Sequence, residues 1–177
     1  MNIVLIGYRA CGKSSVGRLL AQRLGLPFLD TDTLIEQRSG MTIRDIFADH
    51  AEQRFRELEK QVVAEVAHLN RHIISTGGGT VMCDANAAAL KRSGLIVWLT
   101  SSPKMIWQRI LTDTPRLSRR PQVDLDTGLE QIKDALAARN PVYQRWADHN
   151  VNTENLSSPQ AVDEIVALLN DRDLKTR

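Results

Sequence analysis

The chain has 177 residues, enough for one compact domain that buries about 70% of its extended surface. With 23 Lys and Arg against 21 Asp and Glu, the net charge of +2 is too small to indicate nucleic acid or an anionic membrane as a partner. No apolar run approaches the ~20 residues of a membrane span, and Met1 leads straight into a strand rather than a secretory signal, so a cytoplasmic protein is expected.

The first predicted element is a strand over Asn2-Ile3-Val4-Leu5-Ile6, a short apolar and β-branched run. Gly7 to Ser14 then read Gly-Tyr-Arg-Ala-Cys-Gly-Lys-Ser, which fits the phosphate-loop pattern of Gly, four residues, Gly-Lys-Ser. A helix follows, with Val16, Leu19, Leu20 and Leu24 on one face. The motif therefore sits between a strand and a helix, as its mechanism requires. Gly7 and Gly12 let the backbone turn close to a ligand, and successive N–H groups face an anion. Lys13 reaches the outer phosphates, and Ser14 offers its hydroxyl to Mg²⁺. The chain is expected to bind a nucleoside triphosphate. Cys11, inside this loop, reads as a small filler or, at a helix N-terminus, as a reactive thiol, and with Cys83 it makes neither a metal spacing nor a disulfide framework.

Pro27 to Asp30 is a second strand, after Gly25 closes the first helix. Thr31 to Ser39 is helical and ends at Gly40. Thr42 caps a further helix with Asp45 in the capping-box position. From Ile43 to about Leu69 the chain is helical with a break near Asp49-His50, and Phe55, Leu58, Val62, Val66 and Leu69 recur at helical spacing. His72 to Thr76 is a third strand running into Gly77-Gly78-Gly79. Asp84 to Lys91 is a short helix and Leu95 to Leu99 a fourth strand. Pro103 opens a helix to about Leu111. Thr112 to Asp126 is an aperiodic basic stretch of the length and kind found in lids. Thr127 to about Trp146 is helical, Asn150-Val151-Asn152 is a last short strand, and Pro159 opens the final helix to about Leu169.

Strands alternating with helices predict an α/β protein: a five-stranded parallel sheet between helical layers. Ligands in such sheets bind beyond the carboxyl ends of the strands. That rule picks out Gly7–Ser14, Asp30–Asp32, Gly77–Gly79 and Thr100–Ser102 as the candidate site.

Asp30-Thr31-Asp32 ends the second strand. One carboxylate is suited to ordering Mg²⁺-bound water and the other to accepting a proton from a substrate hydroxyl; alternatively, one of them only caps a helix. Gly77-Gly78-Gly79 allows close approach of a ligand to backbone N–H groups, more than a plain turn demands. Arg56 and Glu59 share a helix face, and spacing alone favours an exposed ion pair over an Arg aimed at a substrate carboxylate. Arg109, Arg116, Arg119 and Arg120 border or lie in the basic stretch. A phosphoryl-transfer site uses such charge from a mobile segment, although Arg116 and Arg119 read as solvated, and Arg109 and Arg120 stay open on spacing alone. Arg139 precedes Pro141 in a predicted helix, where either a tolerated kink or a helix boundary accounts for the proline. His50, His68, His72 and His149 share no metal or nucleophile spacing.

Taken together and in this order, these residues resemble the shikimate kinase family over nearly the whole chain. The resemblance is carried by the phosphate loop, Asp30-Thr31-Asp32, Phe55-Arg56 with Glu59, Thr76-Gly77-Gly78-Gly79, the Arg120-Pro121 pair, and Arg139 with Pro141 and Tyr143. It implies the phosphate-loop fold of the nucleoside monophosphate kinases, one kinase domain with a substrate-binding region at about 31–62 and a mobile lid at about 112–126. It implies transfer of the γ-phosphoryl of ATP to the 3-hydroxyl of shikimate, with Mg²⁺ as cofactor. Catalysis would fall to Asp32 as base, with Lys13 and Arg120. Gly7, Ala10, Cys11, Gly12, Lys13, Ser14, Ser15, Arg109 and Arg120 would hold ATP, with Arg109 against the adenine. Ser14 would bind the metal directly and Asp30 through water. Asp32, Arg56, Gly77, Gly78, Gly79 and Arg139 would bind shikimate, the two arginines clamping its carboxylate as planar forks. Two local departures stand out: Gln122-Val123-Asp124 follows Arg120-Pro121, so Arg119 is the alternative lid arginine, and Val151-Asn152-Thr153 replaces the usual Val-Asp-Thr.

Shikimate and ATP are the expected partners, without nucleic acid or membrane, and the expected state is a monomer. A gluconate-type sugar kinase on the same fold has no need of two carboxylate-binding arginines beside a triple glycine. A GTPase-like switch needs Asn-Lys-x-Asp, which is absent, and a nucleic-acid module lacks interleaved aromatics.

Overall fold

Five parallel strands build the sheet in the order β2-β3-β1-β4-β5. The structure, a computed structural model, describes residues 1–48, 52–112 and 127–175, with side chains to residue 170. The expected helix break near Asp49-His50, and the basic stretch with Arg116, Arg119 and Arg120, lie outside the described residues.

In chain order the elements are β1 (Asn2–Ile6), α1 (Lys13–Leu24), β2 (Phe28–Asp30), α2 (Thr31–Ser39), α3 (Ile43–Ala48), α4 (Glu52–Ala67), β3 (Ile73–Ser75), a 3₁₀ turn (Thr80–Met82), α5 (Asp84–Ser93), β4 (Gly94–Thr100), α6 (Pro103–Thr112), α7 (Gly128–Trp146), β5 (His149–Asn152) and α8 (Ser158–Lys175). Most agree with the expectation to within a few residues. The 3₁₀ turn after the glycine run was not signalled. α8 runs well past Leu169, and Leu69, expected on the apolar face of α4, lies beyond its end and is 39% exposed. Pro141 sits inside an unbroken α7, so the alternative of a helix boundary there is corrected.

β1 is buried at every residue, because its neighbours β3 and β4 close both edges and helices cover both faces. The period of two sorts its side chains. Ile3 and Leu5 pack with Val16 and Leu20 of α1, Ile106 of α6 and Ile165 of α8. Val4 and Ile6 pack on the opposite face with Ile35 of α2, Val62 and Val66 of α4, and Leu90 of α5. α7 joins both layers, through Ile132 and Leu136 on one side and Tyr143 on the other. Even Asn2 is fully buried, and its amide is satisfied by Leu69 O at 2.8 Å and His72 N at 3.0 Å. β1 is flanked by β3 on one side and β4 on the other. The chain therefore changes direction across the sheet here, which opens a crevice at the strands' carboxyl ends.

The turns agree with their residues. Gly25 and Gly40 close α1 and α2 with φ of 61° and 68°, the left-handed region that glycine enters without strain. Asp45 N donates to Thr42 Oγ1 at 3.2 Å, an N-cap bond, while the Thr42 hydroxyl donates to Asp45 Oδ2 at 2.6 Å, so Asp45 grips the capping side chain rather than its backbone N–H as a full capping box would.

Candidate active site

The phosphate loop leaves β1 at Gly7, whose φ is +134° and where a Cβ would stand 2.3 Å from Leu99 O. No other residue fits that corner. Gly12, at φ 92°, turns the chain into α1. Lys13 is only 7% exposed; its ammonium donates to Gly7 O at 2.8 Å and Tyr8 O at 2.7 Å, so carbonyls of its own loop hold the charge at the loop's mouth. Beside it the Ser14 hydroxyl donates to Asp30 Oδ2 at 2.7 Å, and Asp30 Oδ1 accepts from Asp32 N at 3.1 Å. Asp30 thus caps α2 and also accepts from the Ser14 hydroxyl. A hydroxyl and a carboxylate, both hard oxygen donors, suit Mg²⁺, which takes few protein ligands and keeps its waters and phosphates. Among the described residues no three His, Cys, Asp or Glu gather into a metal cluster.

The glycine run lies against this loop, and each glycine has its own neighbour. A Cβ on Gly77 would stand 2.6 Å from Asp32 Oδ1; on Gly78, 3.3 Å from Arg9 N; on Gly79, 3.2 Å from Arg56 Nη1. Gly77 N is held by Thr31 Oγ1 at 3.0 Å, and Gly78 O accepts from the Tyr143 hydroxyl. Burial pushes the Tyr143 phenol well above the usual tyrosine range, against the opposing pull of the Arg139 guanidinium, so it stays protonated and donating.

Arg56 is not a free surface ion pair. Its Nη1 donates to Glu59 Oε2 at 3.0 Å, and Glu59 is itself buried, its other oxygen accepting from Thr80 Oγ1 at 2.9 Å. Glu52 adds a looser contact at 3.4 Å. Arg139 stacks over Tyr8, its guanidinium carbon 5.4 Å from the ring centroid, and hydrogen-bonds Tyr143.

On the other side of the phosphate loop is a cleft of about 510 Å³ lined by Ala10, Cys11, Gly12, Ser15, Arg109 and Thr153, among others. Arg109 is fixed at its wall by Ala10 O at 3.3 Å and Thr153 O at 2.6 Å. The Thr153 hydroxyl bonds Thr100 O at 3.0 Å and Cys11 O at 3.1 Å, so one side chain ties β4, the segment after β5 and the phosphate loop together. Burial raises the Cys11 thiol above its ordinary pKa although Lys13 and Arg109 pull the other way. It is a neutral filler, not a thiolate. The structure thus brings all the described candidate residues to two adjoining sites; Arg120 lies outside the described residues. Thr153, Thr80, Tyr8 and Tyr143 had been given no role. The strand-end rule, extended to β5, would have found Thr153; the others carry no local signal.

The family model described as shikimate kinase matches residues 9–170. The chain belongs to the shikimate kinase family. It is similar to the shikimate kinase of Symbiobacterium thermophilum, 41% identical over 172 residues that cover 97% of this chain and 98% of that one. The shikimate kinase of Syntrophus aciditrophicus is 40% identical, covering 93% and 89% of the two chains. Among solved structures, the shikimate kinase of Acinetobacter baumannii in complex with shikimate aligns with a TM-score of 0.91 at 32% identity, covering 98% of this chain and 94% of that one. The Aquifex aeolicus enzyme aligns at 0.76 with 30% identity, covering 98% and 99%. The chain is therefore an ATP-dependent kinase on the five-stranded phosphate-loop fold, and no described helix is long and apolar enough to cross a membrane.

For a shikimate kinase the Glu59 network has a testable cost. Glu59→Ala leaves the buried Thr80 hydroxyl without an acceptor and Arg56 without its main anchor. A loss of ~1–3 kcal/mol is expected, seen as a melting temperature lower by roughly 3–10 °C, together with a raised KM for shikimate. An unchanged melting temperature would show that the network contributes nothing to folding.

Proposed function

We propose that the chain transfers the γ-phosphoryl group of ATP to the 3-hydroxyl of shikimate, giving shikimate 3-phosphate and ADP, as a cytoplasmic monomer. The observation that carries this is the glycine run, whose three residues meet a carboxylate, the phosphate loop and a guanidinium in turn. An acceptor lying on Gly77–Gly79 meets all three chemistries within its own length.

Lys13 leaves its two loop carbonyls to take the β- and γ-phosphates, a change of oxygen partners that keeps the ammonium solvated throughout. Ser14 and Asp30 would hold Mg²⁺, which would supply neutralisation of charge on the phosphates. Asp32 accepts the proton of the 3-hydroxyl as that oxygen bonds to the γ-phosphorus and the bond to the ADP oxygen breaks. Arg56, oriented by Glu59, and Arg139, oriented by Tyr8 and Tyr143, grip the carboxylate of shikimate. Gly78 and Gly79 bond the acceptor through their N–H groups. Arg109 borders the adenine cleft, and Arg120 in the lid at 112–126 completes the charge on the phosphoryl group.

ADP release from Mg-ATP tests this directly, with shikimate, gluconate, a nucleoside monophosphate or no acceptor. Shikimate-dependent release alone is expected; release indifferent to shikimate overturns the acceptor. Arg139→Lys replaces a planar fork by a point charge. Loss of one charged hydrogen bond of ~1.5–3 kcal/mol raises KM for shikimate about 10- to 100-fold with KM for ATP unmoved, and an unaltered shikimate KM rules Arg139 out as a ligand.

A further inference from the structure

Thr153 takes no part in the transfer described above, yet three pieces of the nucleotide side meet on it. It follows β5 directly and is 3% exposed. Its amide donates to Thr100 O, at the end of β4, at 2.8 Å. Its hydroxyl is 3.0 Å from that same carbonyl and 3.1 Å from Cys11 O in the phosphate loop. A threonine hydroxyl has one proton to give, and Thr100 O is already satisfied by the amide, so the proton serves Cys11 O. On its lone-pair side the hydroxyl accepts from Arg109 Nη1 at 3.2 Å, and Thr153 O accepts from Arg109 Nη2 at 2.6 Å. A guanidinium, a hydroxyl and a loop carbonyl thus form one chain of hydrogen bonds, each polarising the next.

The loop needs such a hold. Ala10 stands at φ 60°, in the left-handed region that disfavours a residue with a Cβ. Arg109 takes Ala10 O at 3.3 Å, and Thr153 takes the next carbonyl, Cys11 O. A trans peptide points its C=O and its N–H in opposite directions. Fixing Cys11 O therefore also fixes the Gly12 N–H, aimed away from Thr153. Gly12 and Arg109 both line the cleft beside the loop. One hydroxyl thus sets a loop amide and the side chain at the cleft wall together, before any ligand arrives, which limits the ordering cost on binding.

We propose that Thr153 is a positioning residue of the nucleotide site, whose hydroxyl sets Arg109 against the base and the Gly12 amide against the phosphates. This rests on the cleft being the adenine site, as proposed above, and the test separates the two failures. The measurement is the Kd, by titration calorimetry, of Mg-ATP and of Mg-tripolyphosphate, which has the phosphates without the base. The proteins are the wild type, T153V, which keeps the shape and removes the hydroxyl, and T153S, which keeps the hydroxyl and removes the methyl group. KM for shikimate is taken on the same preparations.

In T153V the Kd for tripolyphosphate is expected to rise about 3-fold, the size of one neutral hydrogen bond, and the Kd for ATP about 10-fold or more, because a charged hydrogen bond to Arg109 goes as well. KM for shikimate is expected to stay within about 2-fold, and T153S to bind both ligands within about 2-fold of wild type, less than one hydrogen bond. Should T153V fail to fold by circular dichroism, T153A carries the same comparison. An unchanged Kd for ATP overturns the assignment. So does an equal rise for ATP and tripolyphosphate, which would leave Arg109 in place without Thr153. Binding by T153S as weak as that by T153V also overturns it, since packing of the methyl group would then be the cause. If the wild-type enzyme binds ATP no more tightly than tripolyphosphate, the cleft does not receive the base; that reading falls first and this assignment with it.

Discussion

Asp32→Asn is expected to lower kcat by about 10²- to 10⁴-fold, the usual contribution of a positioned general base, while the affinity for ATP stays within a small factor. The physical basis is placement. Asp32 is in the first turn of α2, its amide held by Asp30, and its carboxylate faces Gly77 on the acceptor side of the glycine run. Lys13 and Ser14, proposed above to meet the nucleotide phosphates, sit in the loop and α1, where they donate to Gly7 O and Tyr8 O and to Asp30 Oδ2. Asn keeps the size and the hydrogen-bonding shape but cannot take a proton. Stopped-flow turnover and equilibrium nucleotide binding on the same preparation check the split. A strong loss of ATP binding would return Asp32 to the nucleotide side and remove it as the base.

Gly77→Ala is expected to cost kcat about 10²-fold, the penalty of misplacing a reacting group by about an ångström. The added Cβ would stand 2.6 Å from Asp32 Oδ1 and 3.1 Å from Thr80 Oγ1. The first is far too close and the second tight, so either the carboxylate rotates away or the glycine run shifts. Movement of the run is opposed by the bond from Gly77 N to Thr31 Oγ1 at 3.0 Å and by Tyr143 on Gly78 O. Asp32 is thus the group that yields. Because the change leaves every charge in place, KM for ATP should not move. Gly77→Ala combined with Asp32→Asn should add little to Asp32→Asn alone, since both remove the same proton acceptor. Full additivity in that double mutant would mean that Gly77 acts elsewhere.

The elements were legible because each depends on neighbours close in the chain. The apolar run Asn2–Ile6, the Gly7–Ser14 motif and the period of Val16 and Leu20 specify a strand, a phosphate loop and a helix within one short stretch. Arg56 and Glu59 meet because they are three apart on α4. Gly7 was readable as glycine for close approach, although the atom approached, Leu99 O, was not. The residue types also carried chemistry: carboxylates after β2 and glycines after β3 lie at strand ends, where a parallel sheet puts its ligands.

What the chain's order could not decide is which of these ends become neighbours. Periods of 2 and 3.6 tell which face of an element is buried, not against what it packs. The order β2-β3-β1-β4-β5 comes from the helices that must cover both faces of the sheet. That order makes Thr80 the partner of Glu59, turning an unremarkable ion pair into a buried support for Arg56. It sends the Tyr143 hydroxyl to Gly78, 65 residues away, and Thr153 to Cys11, 142 residues away. It also draws Arg139 onto the ring of Tyr8 beside Arg9. The sequence alone determined the motif, the alternation of strands and helices, and the kinds of side chain available for phosphoryl transfer, because local sterics and hydrogen bonding suffice for those. Tertiary structure alone decided which side chain holds which, because those contacts form only when hydrophobic burial brings distant segments into one crevice.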